Sequence, residues 1–405
     1  MAAKPFARHG DDILLKRGFL AFVVIIFYCN IGIYLSLAVS PRVEPQYWLG
    51  LVVLLACVWA IFSSRHRLAA FNTPLFFWCL LFSGLTVILF VAIPASHVSE
   101  VKERIRDVIS LTVLLWIFLM MRDQIAFLRK LVLAAVLLGV AINLVSVIYR
   151  NFIDPVKIVN AGRAAGFYIN PNESATAIIA GMIISIGILS KPWRALFSSI
   201  VLVGVVVTYS REAILSWIIV VLAFCILGIV DWKKLLFWLS VFMIIAILIV
   251  FILIKINAFG ELSASRYTTQ IHRLLFTNGA QHGTSMAIRL TLLKESWELY
   301  LRHPLLGNGI GSTEHWGLPY STHNIYLYYM DDYGLIGLFL YPLLVWCIFY
   351  ESVGETRKIA WCMAIFLLFW GLFDHDTVRN YYALFLISLM AAMSRISRHA
   401  DAFSK

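Results

Sequence analysis

Charged residues are scarce in this sequence. Only 14% of the 405 residues are charged, whereas 61% are apolar. A soluble domain carries roughly twice that share of charge. Apolar runs long enough to cross a ~30 Å hydrocarbon core recur along nearly the whole chain. These features exclude a soluble protein and predict an all-α polytopic membrane protein.

Cysteine is absent from the segments that we predict to lie outside the membrane. Thiols inside helices behave as small apolar side chains, so we expect neither disulfides nor thiol chemistry. The six cysteines all fall inside predicted spans: Cys29, Cys57, Cys79, Cys225, Cys347 and Cys362. A soluble domain and a convincing internal repeat are also missing, and residues 1–405 are predicted to form a single integral membrane domain.

The apolar runs predict about twelve transmembrane helices. The first run is too long for the apolar region of a signal peptide and no small-residue cleavage site follows it, so it is predicted to stay uncleaved. The predicted spans are 18–39, 46–62, 73–93, 107–121, 129–149, 172–190, 193–208, 211–230, 234–254, 323–350, 358–373 and 379–395.

Basic residues in the short loops predict the orientation of these spans. With both termini in the cytoplasm, the whole formal net charge of +11 lies on the cytoplasmic side, as the positive-inside rule requires. The excess of basic residues is therefore a feature of topology and of contact with anionic lipid, and it does not indicate nucleic-acid binding.

Two loops on the opposite side are long, residues 150–171 and residues 255–322. The second is the only loop large enough to form a subdomain. Residues 285–302 within it are predicted to form an amphipathic helix that ends at His303-Pro304, because the residue before a proline resists the helical conformation. The following segment, Gly307–Gly311, is rich in glycine. We interpret it as a turn in preference to a phosphate-binding loop.

Among the arginines on the side of the long loops, three stand out by their positions: Arg163, Arg211 and Arg289. Each alone is most simply an interfacial anchor. Arg211 is the best candidate for function because it follows Ser210, a probable N-cap residue, at the start of a span. Free backbone N–H groups of a helix together with a guanidinium group form a site suited to anions.

His323 opens the tenth predicted span, and a lone histidine in this position is more often a structural hydrogen-bonding group than a catalyst. Asp331 and Asp332 then interrupt an apolar run. Because two carboxylates in the middle of a span are costly, we expect residues 323–333 to form a short interfacial helix that breaks at Gly334.

The triplet Asp374-His375-Asp376, between the last two spans, has the composition of a metal site. Two carboxylates and one imidazole suit a divalent ion, but three consecutive residues rarely hold one without further ligands. We therefore predict no metal and no cofactor.

Four motifs resemble those of the O-antigen ligase and polymerase superfamily, and they cover about residues 160–340 in the same order. Tyr209 departs from the second motif, where a small residue is expected. The motifs are Arg163 to Asn172, Thr208-Tyr209-Ser210-Arg211-Glu212-Ala213, Arg289 followed by His303 to Gly309, and His323-Asn324.

The resemblance implies a GT-C-like glycosyltransferase in the bacterial inner membrane with a periplasmic active site. Such ligases transfer a glycan from undecaprenyl diphosphate to the lipid A–core oligosaccharide during lipopolysaccharide biosynthesis, by an inverting reaction that needs no metal. Their catalytic residues would correspond to Arg211, Arg289 and His323. Substrate-binding residues would correspond to Arg163, Asn172, Ser210, Asn324 and His303.

Elementary chemistry is compatible with these roles. A diphosphate is already a good leaving group, and positive charge placed where its negative charge grows stabilises the transition state. Paired arginines can supply that charge. A histidine with a pKa near neutrality is a suitable base for the attacking sugar hydroxyl.

Three other functions remain open. An O-antigen polymerase uses the same donor, but the Arg-x10-Gly pattern of polymerase loops does not occur at the three arginines. A protein O-oligosaccharyltransferase would usually carry a longer C-terminal extension. A secondary transporter would place ionisable residues near mid-membrane in paired halves, whereas the polar motifs here gather at one interface.

Overall fold

The chain is helical, without strands, over the residues that this computed structural model describes, which are 6–38, 45–62, 72–148, 163–168, 170–255, 283–318 and 320–404. The predicted all-α class is confirmed for these residues. Most of the 150–171 loop and residues 256–282 of the 255–322 loop lie outside them, so the predicted loop subdomain remains a prediction.

The helices of the described residues are numbered in chain order. They are α1 (Phe6–Val23), α2 (Ile31–Ala38), α3 (Pro45–Phe62), α4 (Pro74–Ala92), α5 (Val98–Met120), α6 (Ile125–Ile148), α7 (Pro171–Ser185), α8 (Lys191–Val206), α9 (Arg211–Ile226), α10 (Trp232–Lys255), α11 (Gly283–Arg302), α12 (Ile325–Tyr333), α13 (Gly337–Phe349), α14 (Gly354–Trp370) and α15 (Tyr381–Ser404).

Four helical segments of the described chain are long and apolar enough to cross a membrane. A fifth is formed if the bent pair Ile13–Tyr28 and Ile31–Leu37 counts as one span. The protein is thus a helical membrane protein, while the count of twelve spans remains a prediction. The four segments are Pro74–Ala92, Arg122–Ser146, Pro171–Ile188 and Ile325–Phe349.

The bend in the first span has a local cause. A π-helical turn, Val24–Tyr28, follows α1. Buried Asn30 then adopts a left-handed backbone with φ 59°, which asparagine tolerates better than most residues. The two helical pieces consequently meet at 55°.

α7 and the first half of α15 form the centre of the bundle, and nearly all of their side chains there are buried. α7 packs against α6, α8, α9, α14 and α15. The Tyr28 hydroxyl donates a hydrogen bond to the Ala177 carbonyl at 2.9 Å. A Cβ at Gly181 would lie 1.9 Å from that hydroxyl oxygen, so only glycine permits this approach.

The tenth predicted span is broken where the sequence indicates. α12 ends at Tyr333, Gly334 has φ +65°, and a Cβ at Gly334 would lie 2.3 Å from the Leu305 carbonyl oxygen. The predicted short helix and its break at Gly334 are confirmed, while its position at the membrane interface remains a prediction.

Both carboxylates of α12 are fully buried but have partners. Asp332 pairs with Arg104 of α5, and Asp331 accepts a hydrogen bond from Ser296 of α11. These contacts tie α12 to two neighbouring helices. The cost of placing two carboxylates in an apolar helix is offset by these hydrogen bonds and by the neighbouring charge.

The Gly307–Gly311 segment forms a turn, as the sequence analysis expects. The Asp332 carboxylate accepts hydrogen bonds from the backbone N–H groups of Gly311 and Ser312, at 3.1 and 3.0 Å. The Asn308 N–H donates to the Asp331 carbonyl at 2.7 Å. These backbone N–H groups therefore already donate hydrogen bonds to acceptors within the protein.

Candidate active site

A small cleft opens at the end of the bundle where the motifs meet. The ends of α7, α9, α12 and α14 and one face of α11 surround it. Its lining consists of Asn170, Asn172, Glu173, Glu212, Arg289, His323, Trp370, Phe373, Asp374, His375 and Asp376.

Two helix N-termini reach this cleft. Asn170 caps α7 by accepting a hydrogen bond from the Asn172 N–H at 2.9 Å, and Pro171 occupies the first turn. Ser210 caps α9 by accepting one from the Ala213 N–H at 3.4 Å. The N-cap predicted at Ser210 is thus confirmed. Both N-termini bring positive dipole ends to the cleft, which favours anions there.

Arg163 lies behind the cleft wall and joins the two N-termini. Its Nε donates to the Thr208 carbonyl at 2.8 Å, and its Nη2 donates to the Asn172 side-chain oxygen at 2.7 Å. The guanidinium group thereby orients Asn172, which does line the cleft. Arg163 is positioned to hold the shape of the site.

Glu212 lies in the cleft and forms an ion pair with Arg289. The Ser210 hydroxyl donates to the other carboxylate oxygen of Glu212 at 3.3 Å. Both partners remain partly accessible, with side-chain exposures of 21% for Glu212 and 29% for Arg289. The Arg289 guanidinium group therefore faces the cleft while it is paired with the Glu212 carboxylate.

Arg211 does not line the cleft, and its side chain is exposed. Successive residues of a helix point about 100° apart. At the start of α9 this rotation turns Glu212 into the cleft and Arg211 away from it. The structure thus places at the rim the arginine that the sequence favoured as the centre of the site.

His323 lines the cleft just before the first residue of α12. Its ring meets that of His375 edge to face, with 5.6 Å between the ring centroids. Burial, together with His375 and Arg289 nearby, lowers the pKa of His323 to about 4. The imidazole is therefore neutral at pH 7 and has a free lone pair for a proton. Its pKa lies well below the near-neutral value that the sequence analysis expected of a base.

Asn324 and His303, which the resemblance implied as substrate-binding residues, do not line the cleft. The Asn324 side chain caps α12 by accepting hydrogen bonds from the N–H groups of Tyr326 and Leu327, at 3.0 and 3.1 Å. It fixes the backbone beside His323 but does not line the cleft. His303 is exposed, and its carbonyl accepts the Gly307 N–H at 2.8 Å in the turn after α11.

The triplet Asp374-His375-Asp376 forms one wall of the cleft. Possible ligand atoms of its three side chains lie within 4.8 Å of one another. Asp374 already accepts hydrogen bonds from the Trp370 indole at 3.0 Å and the Thr377 hydroxyl at 3.1 Å. These bonds give Asp374 a structural task as an anchor of the turn between α14 and α15.

A charged network supports this wall from behind. Arg379, two residues before α15, contacts Glu103 of α5 and lies 3.4 Å from a Glu100 carboxylate oxygen. It also binds Glu314 at 2.6 Å, and Glu314 lies 4.0 Å from His375 Nε2. The network joins α5, the turn before α15 and the loop before α12.

Four carboxylates line the cleft, and sequence reasoning did not assign Glu173 or Glu212 to it. Burial raises the pKa of Asp376, which favours its neutral form. The arginine and the helix N-termini lie on the α7, α9 and α11 side, and the triplet lies on the α14–α15 side. Glu173 and Glu212 lie on the same side as Arg289, so the side that presents the positive helix ends to the cleft also carries two carboxylates.

Comparison with known proteins bears on the middle of the chain. Residues 195–341 match the family model described as O-antigen ligase. The match includes α9, α11 and His323-Asn324 but neither Arg163 nor the triplet. No curated protein matches the chain. The resemblance drawn from the motifs is confirmed over residues 195–341, which contain three of the four motifs. The first motif, Arg163 to Asn172, lies outside the matched residues.

Proposed function

We propose that the protein is an O-antigen ligase of the bacterial inner membrane, with cytoplasmic termini and a periplasmic active site. It would transfer a glycan from undecaprenyl diphosphate to the lipid A–core oligosaccharide. The observation that carries the proposal is the meeting of Arg289, His323 and two helix N-termini in one cleft. The family match supports the chemistry but does not distinguish ligases from polymerases.

Arg289 is proposed to bind the donor's diphosphate. Its planar fork can hold two phosphate oxygens at once, and the N-termini of α7 and α9 add positive potential. As the bond between the anomeric carbon and the phosphate oxygen breaks, these groups stabilise the negative charge that develops on the diphosphate. Arg211 would act from the rim, where it meets the donor before Arg289 does.

His323 is proposed to take the proton of the acceptor hydroxyl. A new bond forms between that oxygen and the anomeric carbon on the face opposite the leaving diphosphate, which inverts the configuration. The proton moves to the neutral imidazole, and undecaprenyl diphosphate leaves. The carboxylates of Asp374 and Asp376 would accept hydrogen bonds from sugar hydroxyls, and Arg163 and Asn172 would maintain the wall. The mechanism requires no metal.

Glu212 is proposed to occupy the place of a phosphate when no donor is bound. Its carboxylate neutralises Arg289, so the fork does not remain an uncompensated cation in a partly buried cleft. The donor's diphosphate would displace the carboxylate from Arg289.

Deletion of the gene tests the choice between ligase and polymerase. Loss of a ligase should leave full-length lipid-linked glycan in the inner membrane, while lipopolysaccharide loses its O-chain entirely. A polymerase defect would instead leave lipopolysaccharide capped with single repeats, and that result would contradict the proposal. Complementation with the intact gene and with Arg289→Ala distinguishes loss of this protein from indirect effects.

A further inference from the structure

α11 carries an exposed apolar stripe on the side away from the cleft. The stripe consists of Leu290, Trp297 and Leu301, which are 57%, 48% and 54% exposed. At about 100° per residue these three positions fall within about 40° of one another on the helix surface. The stripe is therefore a continuous line along the helix and not a set of scattered apolar residues.

The other faces of α11 have different surroundings. Leu292 and Ser296 are buried against the protein, and Arg289 points into the cleft. Thr291, Glu298 and Arg302 form an exposed polar face, about 80–120° around the helix from Leu290. The helix thus meets three environments: the protein interior and cleft, an apolar exterior, and water.

The stripe continues onto the surface of a membrane-crossing helix. Leu305 and Leu306, in the turn after α11, are 72% and 60% exposed. This turn rests on the break before α13, where the Leu335 N–H donates to the Pro304 carbonyl at 2.8 Å. The neighbouring residues of the Ile325–Phe349 span are also exposed and apolar: Leu335, Ile336 and Phe339.

We propose that α11 lies along the membrane surface, with the stripe of Leu290, Trp297 and Leu301 against lipid acyl chains of the leaflet on the cleft side. The continuity with the lipid-facing surface at Phe339 identifies the occupant. An apolar band of this kind next to a polar face is typical of interfacial helices. Trp297 belongs to a residue type enriched at membrane interfaces, and Lys294, beside the stripe, can extend its ammonium group to lipid phosphates.

This position makes α11 the wall between the lipid and the cleft. Arg289 faces the cleft from the same turn that presents Leu290 to the acyl chains. The guanidinium group then lies at the level of the lipid head groups. The placement of the helix does not depend on the proposed reaction, and its test can succeed or fail independently of ligase activity.

Photocrosslinking at matched neighbouring positions tests the proposal. p-Benzoylphenylalanine is introduced by codon suppression at positions 290, 297 and 301 and, as controls, at the adjacent positions 291, 298 and 302. The intact protein is placed in nanodiscs of phosphatidylethanolamine and phosphatidylglycerol and irradiated. The excited ketone abstracts a hydrogen atom from a nearby C–H bond, and the two radicals combine.

We expect a mass increase of one phospholipid at 290, 297 and 301, at least fivefold more abundant than at 291, 298 and 302. Equal adduct yields on both faces would overturn the proposal. A crosslinked dimer at the stripe positions, without lipid adducts, would also overturn it and would identify a second copy as the occupant. Because each pair differs by one residue, poor folding of one variant leaves two further pairs to decide the question.

Discussion

Arg289 and Arg211 carry the same charge, but the fold gives them different surroundings. Arg289 faces the cleft from α11, whereas Arg211 is exposed at the start of α9. A lysine keeps the charge but loses the planar fork. Arg289→Lys should therefore lower kcat about 100-fold or more, while Arg211→Lys should raise the KM for the donor and change kcat less than about tenfold.

Initial rates at varied concentrations of lipid-linked glycan separate these effects. Accumulation in the membrane serves as the control for both variants, since neither arginine belongs to the packed core. Equal losses of kcat in the two variants would contradict the division of roles between cleft and rim.

Glu212 competes with the donor if it occupies the place of a phosphate. Glu212→Gln preserves the size of the side chain and removes its charge, so Arg289 loses its anionic partner. A partly exposed pair contributes up to about 1 kcal/mol, which predicts donor binding that is tighter by up to about fivefold. Donor binding measured apart from turnover checks this. Weaker donor binding would instead make Glu212 a residue that positions Arg289.

The ionisation of His323 predicts a particular pH dependence. Because burial, together with His375 and Arg289 nearby, lowers the pKa of the free protein's imidazole to about 4, the acid limb of kcat/KM should lie near pH 4. A bound diphosphate favours the charged imidazolium, so the acid limb of kcat should lie at higher pH than that of kcat/KM. His323→Gln should lose about 100-fold or more in kcat and lack both limbs; persistence of both limbs would exclude His323 as the base.

At the scale of elements, α5 and α12 are joined by the buried pair of Arg104 and Asp332, whose exposures are 5% and 0%. Arg104→Met would leave the carboxylate without its cation, which should lower the free energy of unfolding by about 3–5 kcal/mol. Arg104→Met with Asp332→Asn should recover part of that loss.

Denaturant unfolding in detergent micelles measures these free energies. Lys358→Met is a matched control, because it removes one partner of an exposed pair with Glu355 and should change the free energy by less than about 1 kcal/mol. A loss for Arg104→Met as small as that of the control would show that the buried pair does not hold the two helices together.

The elements that sequence predicted correctly depend on local physics. The Ser210 cap and the break at Gly334 follow from the chemistry of a few consecutive residues. The rotation of α9 about its axis does not follow from such local chemistry. It decides that Glu212 faces the cleft and Arg211 does not, and it is set by packing against other helices. The wall at Asp374 likewise depends on how α14 and α15 meet α12, which no short motif indicates.

For the whole molecule, apolar runs and the one-sided charge predicted a helical membrane protein whose motifs share one end. The structure brings Asn172, Glu212, Arg289 and His323 into one cleft, although as many as 151 positions separate them in the chain. Alternating helix directions make such convergence possible, and the positions of the charged loops indicated it. The shape of the cleft and its acidic wall required the tertiary structure.

The central claim is that this cleft transfers a lipid-linked glycan without a metal. Its most direct test combines purified protein, undecaprenyl-diphosphate-linked glycan and lipid A–core acceptor in a chelating buffer, with the product followed on a gel. We expect the wild type to form the ligated product at the same rate with and without chelator, and Arg289→Ala to form at least about 100-fold less. Wild-type rates in Arg289→Ala, or complete dependence on an added divalent ion, would contradict the account.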